Sequence, residues 1–457
     1  MNIKPITIFF LLVFSGIIIS GCKNDRQNNY DRLMKHANSI RIVDTHEHQR
    51  SASAYKINEY NLFALIAHSY LSSDLVTAGG IDIDDNMLNE LSLDSLWKLH
   101  GKYLGYSSNT SYYKHLNAGI QQLYDFKEPV FTAENTKALS EQIAKNYKDY
   151  DAWFDKGFKQ ANIATMLVDR YWDSFNTKID TSHFSLIFNI NKIVSEIGRG
   201  AKENYKGEFR EDSYYHFSDM ENYPMGTLDE YLAFADHLFR KFVSDNVVAV
   251  KNTLAYSRTL DFQNVSYEKA DSLFKKAPSI SRADKKALED FMFHWIIKKS
   301  IVYNLPIQIH TGYFAGNYND LKNGDPLKLN DLLLQYPKAT FVLFHGGFPW
   351  TTEFVALGKT FPNVYLDLVW LPQISKQNAI RTFNEMLDCV PYNKILYGAD
   401  CHFIEEALGS IQFGKEVVVE VLADRISRGS MSEEMALDII KRIFRENAIE
   451  LFKLKVK

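Results

Sequence analysis

Cysteine is scarce in this sequence of 457 residues, which contains only Cys22, Cys389 and Cys401. Three cysteines cannot form the disulfide framework that staples a small secreted domain. An excess of positive charge is also missing, since the net charge is −4 and no basic run is long enough to follow a phosphate backbone. The composition therefore excludes a disulfide scaffold and argues against a nucleic acid partner.

Long apolar runs are rare as well, and the one that stands out covers residues 6–19, after Lys4. It is too short for a comfortable membrane span and has the form of a signal-peptide core. The following Ile19-Ser20-Gly21-Cys22 resembles a bacterial lipobox, in which the cysteine becomes the lipid-bearing first residue. The alternative is an ordinary signal peptide with a chance cysteine.

This reading divides the N-terminus into a lipoprotein signal peptide, residues 1–21, and a polar tether, residues 22–35. Lipidation of Cys22 would hold the protein on a membrane of the cell envelope, outside the cytoplasm. The lipid anchor would be its only membrane contact.

Eight short runs of β-branched and aromatic residues follow, with helix-period stretches such as residues 287–299 between many of them. Most are continuous hydrophobic runs, as in parallel strands that are buried on both faces. The series predicts a TIM (β/α)8 barrel, an α/β fold. The predicted strands are residues 41–46, 162–169, 184–190, 247–254, 306–310, 340–345, 363–368 and 394–400.

The spacing of the strands is uneven, and two long insertions follow strands 1 and 3. Residues 51–159 form the first and residues 191–245 the second, and helical patterns are frequent in the first. We interpret both as caps on one barrel that spans residues 36–457, and not as separate domains.

The first strand runs directly into His46 and His48, which stand two positions apart. In an extended segment such residues share a face, so two imidazoles can point at one spot while Glu47 points away. Barrel enzymes carry their chemistry at the C-terminal ends of the strands. His310, His345 and Asp400 occupy those ends of strands 5, 6 and 8. Four histidines and an aspartate so placed predict a metal site.

This pattern, with the stretches PIQIHTGY, FVLFHGGFP, NVYLDL and KILYGADCHF, resembles the amidohydrolase superfamily, amidohydrolase-2 type. It is most similar to the amidohydrolase domain of nodulin/glutamine-synthetase-like proteins and more distantly to uronate isomerases. The resemblance covers residues 36–455 and is densest after Val247.

The resemblance implies that His46, His48, His310 and Asp400 hold one divalent metal, with Zn²⁺ favoured by three nitrogen ligands and a carboxylate. It assigns two catalytic roles. Asp400 would also act as general base, and His345 would stabilise developing negative charge or shuttle a proton. The alternative for His345 is a ligand of a second metal.

Four residues are predicted to contact substrate: Lys251, Tyr256, Arg258 and Trp350. Arg258 is the candidate clamp for a substrate carboxylate, since a guanidinium binds carboxylate through two parallel hydrogen bonds; the alternative is a surface arginine. Lys251 is interpreted as a substrate-contacting or structural charge, and the alternative is a carbamylated bridge between two metals. Trp350 would line the pocket, or else belong to the core or rim.

We expect a metal-dependent hydrolase that acts on a C–N or C–O bond of a small anionic metabolite. The same set of metal ligands could serve decarboxylation or uronate-type isomerisation, because a shared fold does not fix the reaction. A non-catalytic ligand-binding lipoprotein is the third reading. The oligomeric state is left open, a homo-oligomer included.

Overall fold

The computed structural model describes residues 25–51, 54–204 and 210–456. The predicted signal peptide and Cys22 lie outside these residues. Within the described ranges, no helix combines the length and the apolar character that a membrane crossing requires.

Eight parallel strands form one sheet in the order of the sequence, β1 to β8. Beyond the strand pairs, the main chain of Thr45 donates to the carbonyl of Tyr397 and that of Asp400 to the carbonyl of His46, so the last strand returns to the first. The strands are β1 (Ile42–Glu47), β2 (Ile163–Asp169), β3 (Phe184–Asn189), β4 (Ala249–Asn252), β5 (Ile307–Ile309), β6 (Phe341–Leu343), β7 (Val364–Asp367) and β8 (Ile395–Leu396).

Each observed strand falls within one residue of, or inside, a predicted run, and the predicted TIM barrel is confirmed. The strands are almost entirely buried, because helices cover the sheet from outside. The helices are α1 (25–39), α2 (Leu62–Ala67), α3 (Leu71–Thr77), α4 (Asp85–Glu90), α5 (Leu93–Ser107), α6 (Ser111–Tyr124), α7 (Ala133–Tyr147), α8 (Tyr150–Gln160), α9 (Asn191–Ser195), α10 (Tyr214–Met220), α11 (Leu228–Ser244), α12 (Tyr267–Lys276), α13 (Arg282–Tyr303), α14 (Asn330–Gln335), α15 (Thr351–Thr360), α16 (Leu371–Ile374), α17 (Lys376–Cys389), α18 (Ile404–Ser427), α19 (Glu433–Lys441) and α20 (Asn447–Phe452).

The insertion between β1 and β2 consists of helices α2 to α8 and is anchored to the barrel where α6 crosses α18. The two helices touch through glycines. A Cβ added to Gly119 would lie 1.8 Å from the carbonyl oxygen of Glu405, and one added to Gly409 would lie 1.8 Å from that of His115. Only residues without a side chain permit this approach, so the first cap is fixed against the helix that follows β8.

The predicted polar tether is wrong for residues 25–35, which belong to helix α1. Asn29, Leu33 and Ala37, at intervals of four, are buried on one face of this helix. Asn29 donates to the Ser427 hydroxyl, and Arg32 pairs with Glu433 at 2.9 Å. The many polar residues of this segment hid the helical period of Leu33 and Ala37, the narrow apolar face of α1. Contacts to Ser427 and Glu433 place α1 against α18 and α19.

Candidate metal centre

The two histidines of β1 are each oriented by an oxygen acceptor behind them. His46 Nδ1 lies 3.1 Å from Gln308 Oε1, and the Gln308 amide nitrogen donates to the carbonyl of Thr45, which fixes the amide orientation. His48 Nδ1 lies 3.0 Å from the carbonyl oxygen of Asp169. Both oxygens can only accept a hydrogen bond, so the proton of each neutral ring lies on Nδ1. The Nε2 atom then has a free electron pair that can bind a metal.

Two carboxylates face these Nε2 atoms. Asp400 Oδ1 lies 3.2 Å from His48 Nε2 and 3.8 Å from His46 Nε2, and Asp169 Oδ2 lies 3.9 Å from His46 Nε2. His46, His48 and Asp169 each offer a ligand atom within 4.8 Å of the others. The side-chain amide of Asn189, at the end of β3, donates to both oxygens of Asp169 at 3.0 Å.

Asp169 is the residue that the sequence analysis missed. Asp169 could have been found from its position, because it is the last residue of the predicted second strand and therefore lies at the same end of the barrel as the histidines.

His310 and His345 form a second pair beside this cluster. His310 Nε2 lies 2.7 Å from the carbonyl oxygen of Tyr313, and His345 Nδ1 lies 3.1 Å from that of Val369. The remaining nitrogens, His310 Nδ1 and His345 Nε2, face each other at 3.0 Å. If each ring donates its proton to its carbonyl, the electron pairs of His310 Nδ1 and His345 Nε2 face and repel each other. A proton or a cation between these two nitrogens would remove the repulsion.

Burial keeps most of these rings neutral. It lowers the pKa of His46 well below its ordinary value, with the Lys251 charge acting in the same direction, and it lowers the pKa of His345 to about 3. Burial also lowers the pKa of His310 well below its ordinary value. Neutral imidazole is the form that binds metals.

Asp400 and His48 form the charged part of the centre. Burial alone would raise the pKa of Asp400, but the charged His48 imidazole beside it holds that pKa well below its usual range. Burial lowers the pKa of His48, but the Asp400 carboxylate raises it by more, so the pKa of His48 is raised overall. His46 Nε2 and Asp400 Oδ1 are nevertheless buried without a hydrogen-bond partner. Orphaned polar atoms that converge on one point fit a bound cation.

The main chain of Asp400 adopts a left-handed conformation, with φ of +62°, and is held from both sides. Asp44 accepts from the N–H of Ala399 at 2.9 Å, and Glu47 accepts from the N–H of Cys401 at 2.9 Å. Glu47 therefore faces away from the histidines and supports the loop that carries Asp400.

A cavity of about 400 Å³ opens at this end of the barrel. Lys251, Tyr256 and His310 line it together with His48 and Asp400. The Lys251 ammonium lies 3.5 Å from the centre of the Phe344 ring, and burial lowers the pKa of Lys251 to about 8 against the raising effect of Asp400 and Asp169. The Tyr256 hydroxyl accepts from the N–H of Ala315 at 3.0 Å.

Two predicted substrate contacts do not line this cavity. Arg258 is buried, and its guanidinium lies 2.5 Å from Asp290 Oδ1 and 3.5 Å from Glu289 Oε2, so acids of α13 already occupy the proposed carboxylate clamp. Trp350 follows the turn at His345–Gly347 and immediately precedes α15, outside the lining of the cavity.

A sequence model of the amidohydrolase family matches residues 286–454. Over 228 residues the chain is 30% identical to Protein fluG of Emericella nidulans, and the match covers 46% of this chain but only 26% of that protein. A proposed metal-dependent hydrolase from Lactobacillus casei has the same fold, with 18% identity and a TM-score of 0.61 over 92% of this chain and 97% of its own. Glucuronate isomerase from Caulobacter crescentus also shares it, with 13% identity and a TM-score of 0.74 over 94% and 95%.

The fold and the site together define a TIM barrel with a candidate metal centre at the C-terminal ends of its strands. The predicted resemblance to the amidohydrolase superfamily, amidohydrolase-2 type, is confirmed by sequence similarity over residues 286–454. The solved structures share the fold of the barrel. Members of the amidohydrolase superfamily are generally enzymes, and they typically use a divalent metal.

Proposed function

We propose that the chain is a metal-dependent hydrolase that cleaves a C–N or C–O bond of a small anionic metabolite and uses one Zn²⁺. One observation carries the proposal. Each of four histidines, His46, His48, His310 and His345, has one ring nitrogen against an oxygen acceptor and directs the other toward the interior. Histidines that ligate metals are oriented in this way.

His46, His48 and Asp400 would hold the metal, because both Nε2 atoms lie within 3.8 Å of Asp400 Oδ1. His310, the fourth ligand that the resemblance implies, would offer Nδ1, the nitrogen that now faces His345. Asp169 is a further candidate, since it lies as close to His46 as Asp400 does. Three nitrogens and a carboxylate suit zinc.

A bound divalent cation would supply Lewis acidity, which makes water a nucleophile near neutral pH. Asp400 is suited to take a proton from that water, because its environment keeps it ionised. His345, neutral and buried, would donate or accept a proton at the reacting group and stabilise developing charge there. Lys251 and Tyr256 would contact substrate from the cavity wall.

Isomerisation of a uronate is the second candidate, because the barrel resembles that of a glucuronate isomerase over most of both chains. Decarboxylation would use the same residues. Product analysis separates the three reactions, since hydrolysis incorporates solvent oxygen, isomerisation conserves mass and decarboxylation releases CO₂.

The first test is the metal content of the purified protein and of His46→Ala, with His237→Ala as control, because His237 lies on α11 and pairs with Glu221. About one metal per chain, lost in His46→Ala and kept in the control, supports the proposal. About two metals per chain would favour a carbamylated Lys251 as a bridge. Absence of metal after reconstitution with Zn²⁺, Mn²⁺ and Fe²⁺ would overturn it.

We also propose the cell envelope as the location, with Cys22 as the lipidated residue. Its support is the sequence Ile19-Ser20-Gly21-Cys22 alone. Cys22→Ala should move the protein from the membrane fraction to the soluble fraction, and unchanged fractionation would contradict the anchor.

A further inference from the structure

Arg50, two residues after His48, lies among three aromatic rings. Its guanidinium carbon is 4.3 Å from the ring centre of Trp172, 4.9 Å from that of Tyr171 and 5.5 Å from that of Tyr55. Its main-chain N–H donates to the carbonyl of His402 at 3.3 Å. The aromatic rings therefore fix the position of a cation beside the cavity.

This cation has no acidic partner in the part of the chain that the structure describes. One amino group of Arg50 donates to the Tyr171 hydroxyl, while its Nε is buried and has no acceptor. The neighbouring Arg170 differs, since it pairs with Asp173 at 2.5 Å. A guanidinium has five N–H donors, and leaving a buried donor without an acceptor is costly. The arrangement calls for an oxyanion.

The space for such a group adjoins the metal centre. A side pocket of about 230 Å³ is lined by Arg50 and Tyr55, and it shares Tyr171 and His402 with the main cavity. The Tyr171 ring also contacts the ring of His48, with centres 5.0 Å apart. One aromatic side chain thus touches both the guanidinium and a candidate metal ligand.

We propose that Arg50 binds a carboxylate or phosphate group at one end of the substrate, while the reacting group at the other end lies at the metal centre. The second half of this statement rests on the proposed function; the anion subsite itself does not. Aromatic stacking covers the faces of the guanidinium, and its N–H groups project from the edges, where two oxygens of one anion can be bound together. Arg50 is better placed for this role than Arg258, which already pairs with two acids of α13.

The test measures binding of phosphate and of malonate by calorimetry at constant ionic strength, with both chelator-treated and zinc-loaded protein. The variants are Arg50→Met and Arg50→Lys, and the matched control is Arg170→Met. We expect Arg50→Met to weaken anion binding by about tenfold or more, because the charge and the paired donors are lost. Arg50→Lys, which keeps the charge, should lose roughly threefold, and the control should bind as wild type does.

Preference for phosphate would indicate a phosphorylated substrate, and preference for malonate a carboxylated one. Wild-type protein that binds neither anion, or Arg50 variants that bind as wild type does, would overturn the subsite. Arg50→Lys serves if Arg50→Met does not fold. Anion binding is also measured on chelator-treated protein. If the protein binds no metal, the proposed function fails, but the anion subsite is still tested.

Discussion

The hydroxyl of Tyr70 donates a hydrogen bond of 2.7 Å to the main-chain carbonyl of Asp400. Tyr70 belongs to the first cap, at the start of α3, and Asp400 follows β8. The cap thus holds the left-handed residue whose carboxylate faces the two histidines of β1. Insertion and barrel meet at the candidate centre, so the cap contributes to the geometry of the site as well as covering it.

Removal of this hydrogen bond should weaken metal binding. Tyr70→Phe keeps the ring and deletes the donor, which we expect to reduce metal affinity by roughly tenfold and stability by about 1 kcal/mol. A competition titration with a chromophoric chelator measures the affinity. Tyr112→Phe is the matched control, because Tyr112 stacks on Tyr70 and its buried hydroxyl has no hydrogen-bond partner. Equal affinities in the two variants would contradict the role of Tyr70.

The crossing of α6 and α18 should not tolerate a side chain. In Gly119→Ala the new methyl group would meet the carbonyl of Glu405 at 1.8 Å, so the helices must separate. We expect a loss of about 3 kcal/mol in the free energy of unfolding. Gly105→Ala, in helix α5, meets nothing within 4 Å. This control should gain roughly 0.5 kcal/mol from helix propensity. Urea denaturation compares them, and similar values for both would refute the close packing.

Sequence reasoning reached the barrel because parallel strands that are buried on both faces leave continuous hydrophobic runs, as in residues 163–169. It located His46, His48, His310, His345 and Asp400 because these lie at or just beyond the strand ends. It missed Asp169, although that residue also ends a strand, because the pairing of β1 with β2 across the first insertion is what brings its carboxylate to His46.

The acidic partners of Arg258 were not predicted, for a related reason. Its position after β4 indicated the cavity, but the acids that bind it lie on α13, about thirty residues further along the chain. Contacts of that range depend on how a helix packs over the sheet, which no local pattern encodes. The aromatic surroundings of Arg50 could not be predicted from spacing either, because Tyr55 and Trp172 belong to segments far apart in the sequence.

Arg258 should therefore matter for stability. Arg258→Met removes one of the two cations that pair with the buried Asp290 and leaves Lys286 at 3.1 Å, which we expect to cost roughly 2 kcal/mol. The double variant Arg258→Met, Asp290→Leu removes both charges and should recover most of that loss. Chemical denaturation of the two variants measures the difference. A single variant that is as stable as wild type, with a changed affinity for anions, would restore the clamp interpretation.

Lys415, on α18, offers a pH-dependent prediction far from the metal centre. Its ammonium donates to Asn38 Oδ1 at 3.1 Å, and burial lowers its pKa from 10.5 to about 8. Between these two values the unfolded chain binds more protons than the folded one, so this group adds stability as the pH rises. Below about 8 the cost of the buried charge is fully present.

Lys415→Met should therefore stabilise the protein at neutral pH, by at most about 3 kcal/mol, less the lost hydrogen bond. The gain should shrink as the pH rises from 8 toward 10.5, because the wild-type lysine then folds without its proton. Urea denaturation at neutral and alkaline pH measures both values. Lys114→Met, at an exposed position of α6, is the control and should change stability little. A gain for Lys415→Met that stays constant over this range would show that the buried ammonium is not its origin.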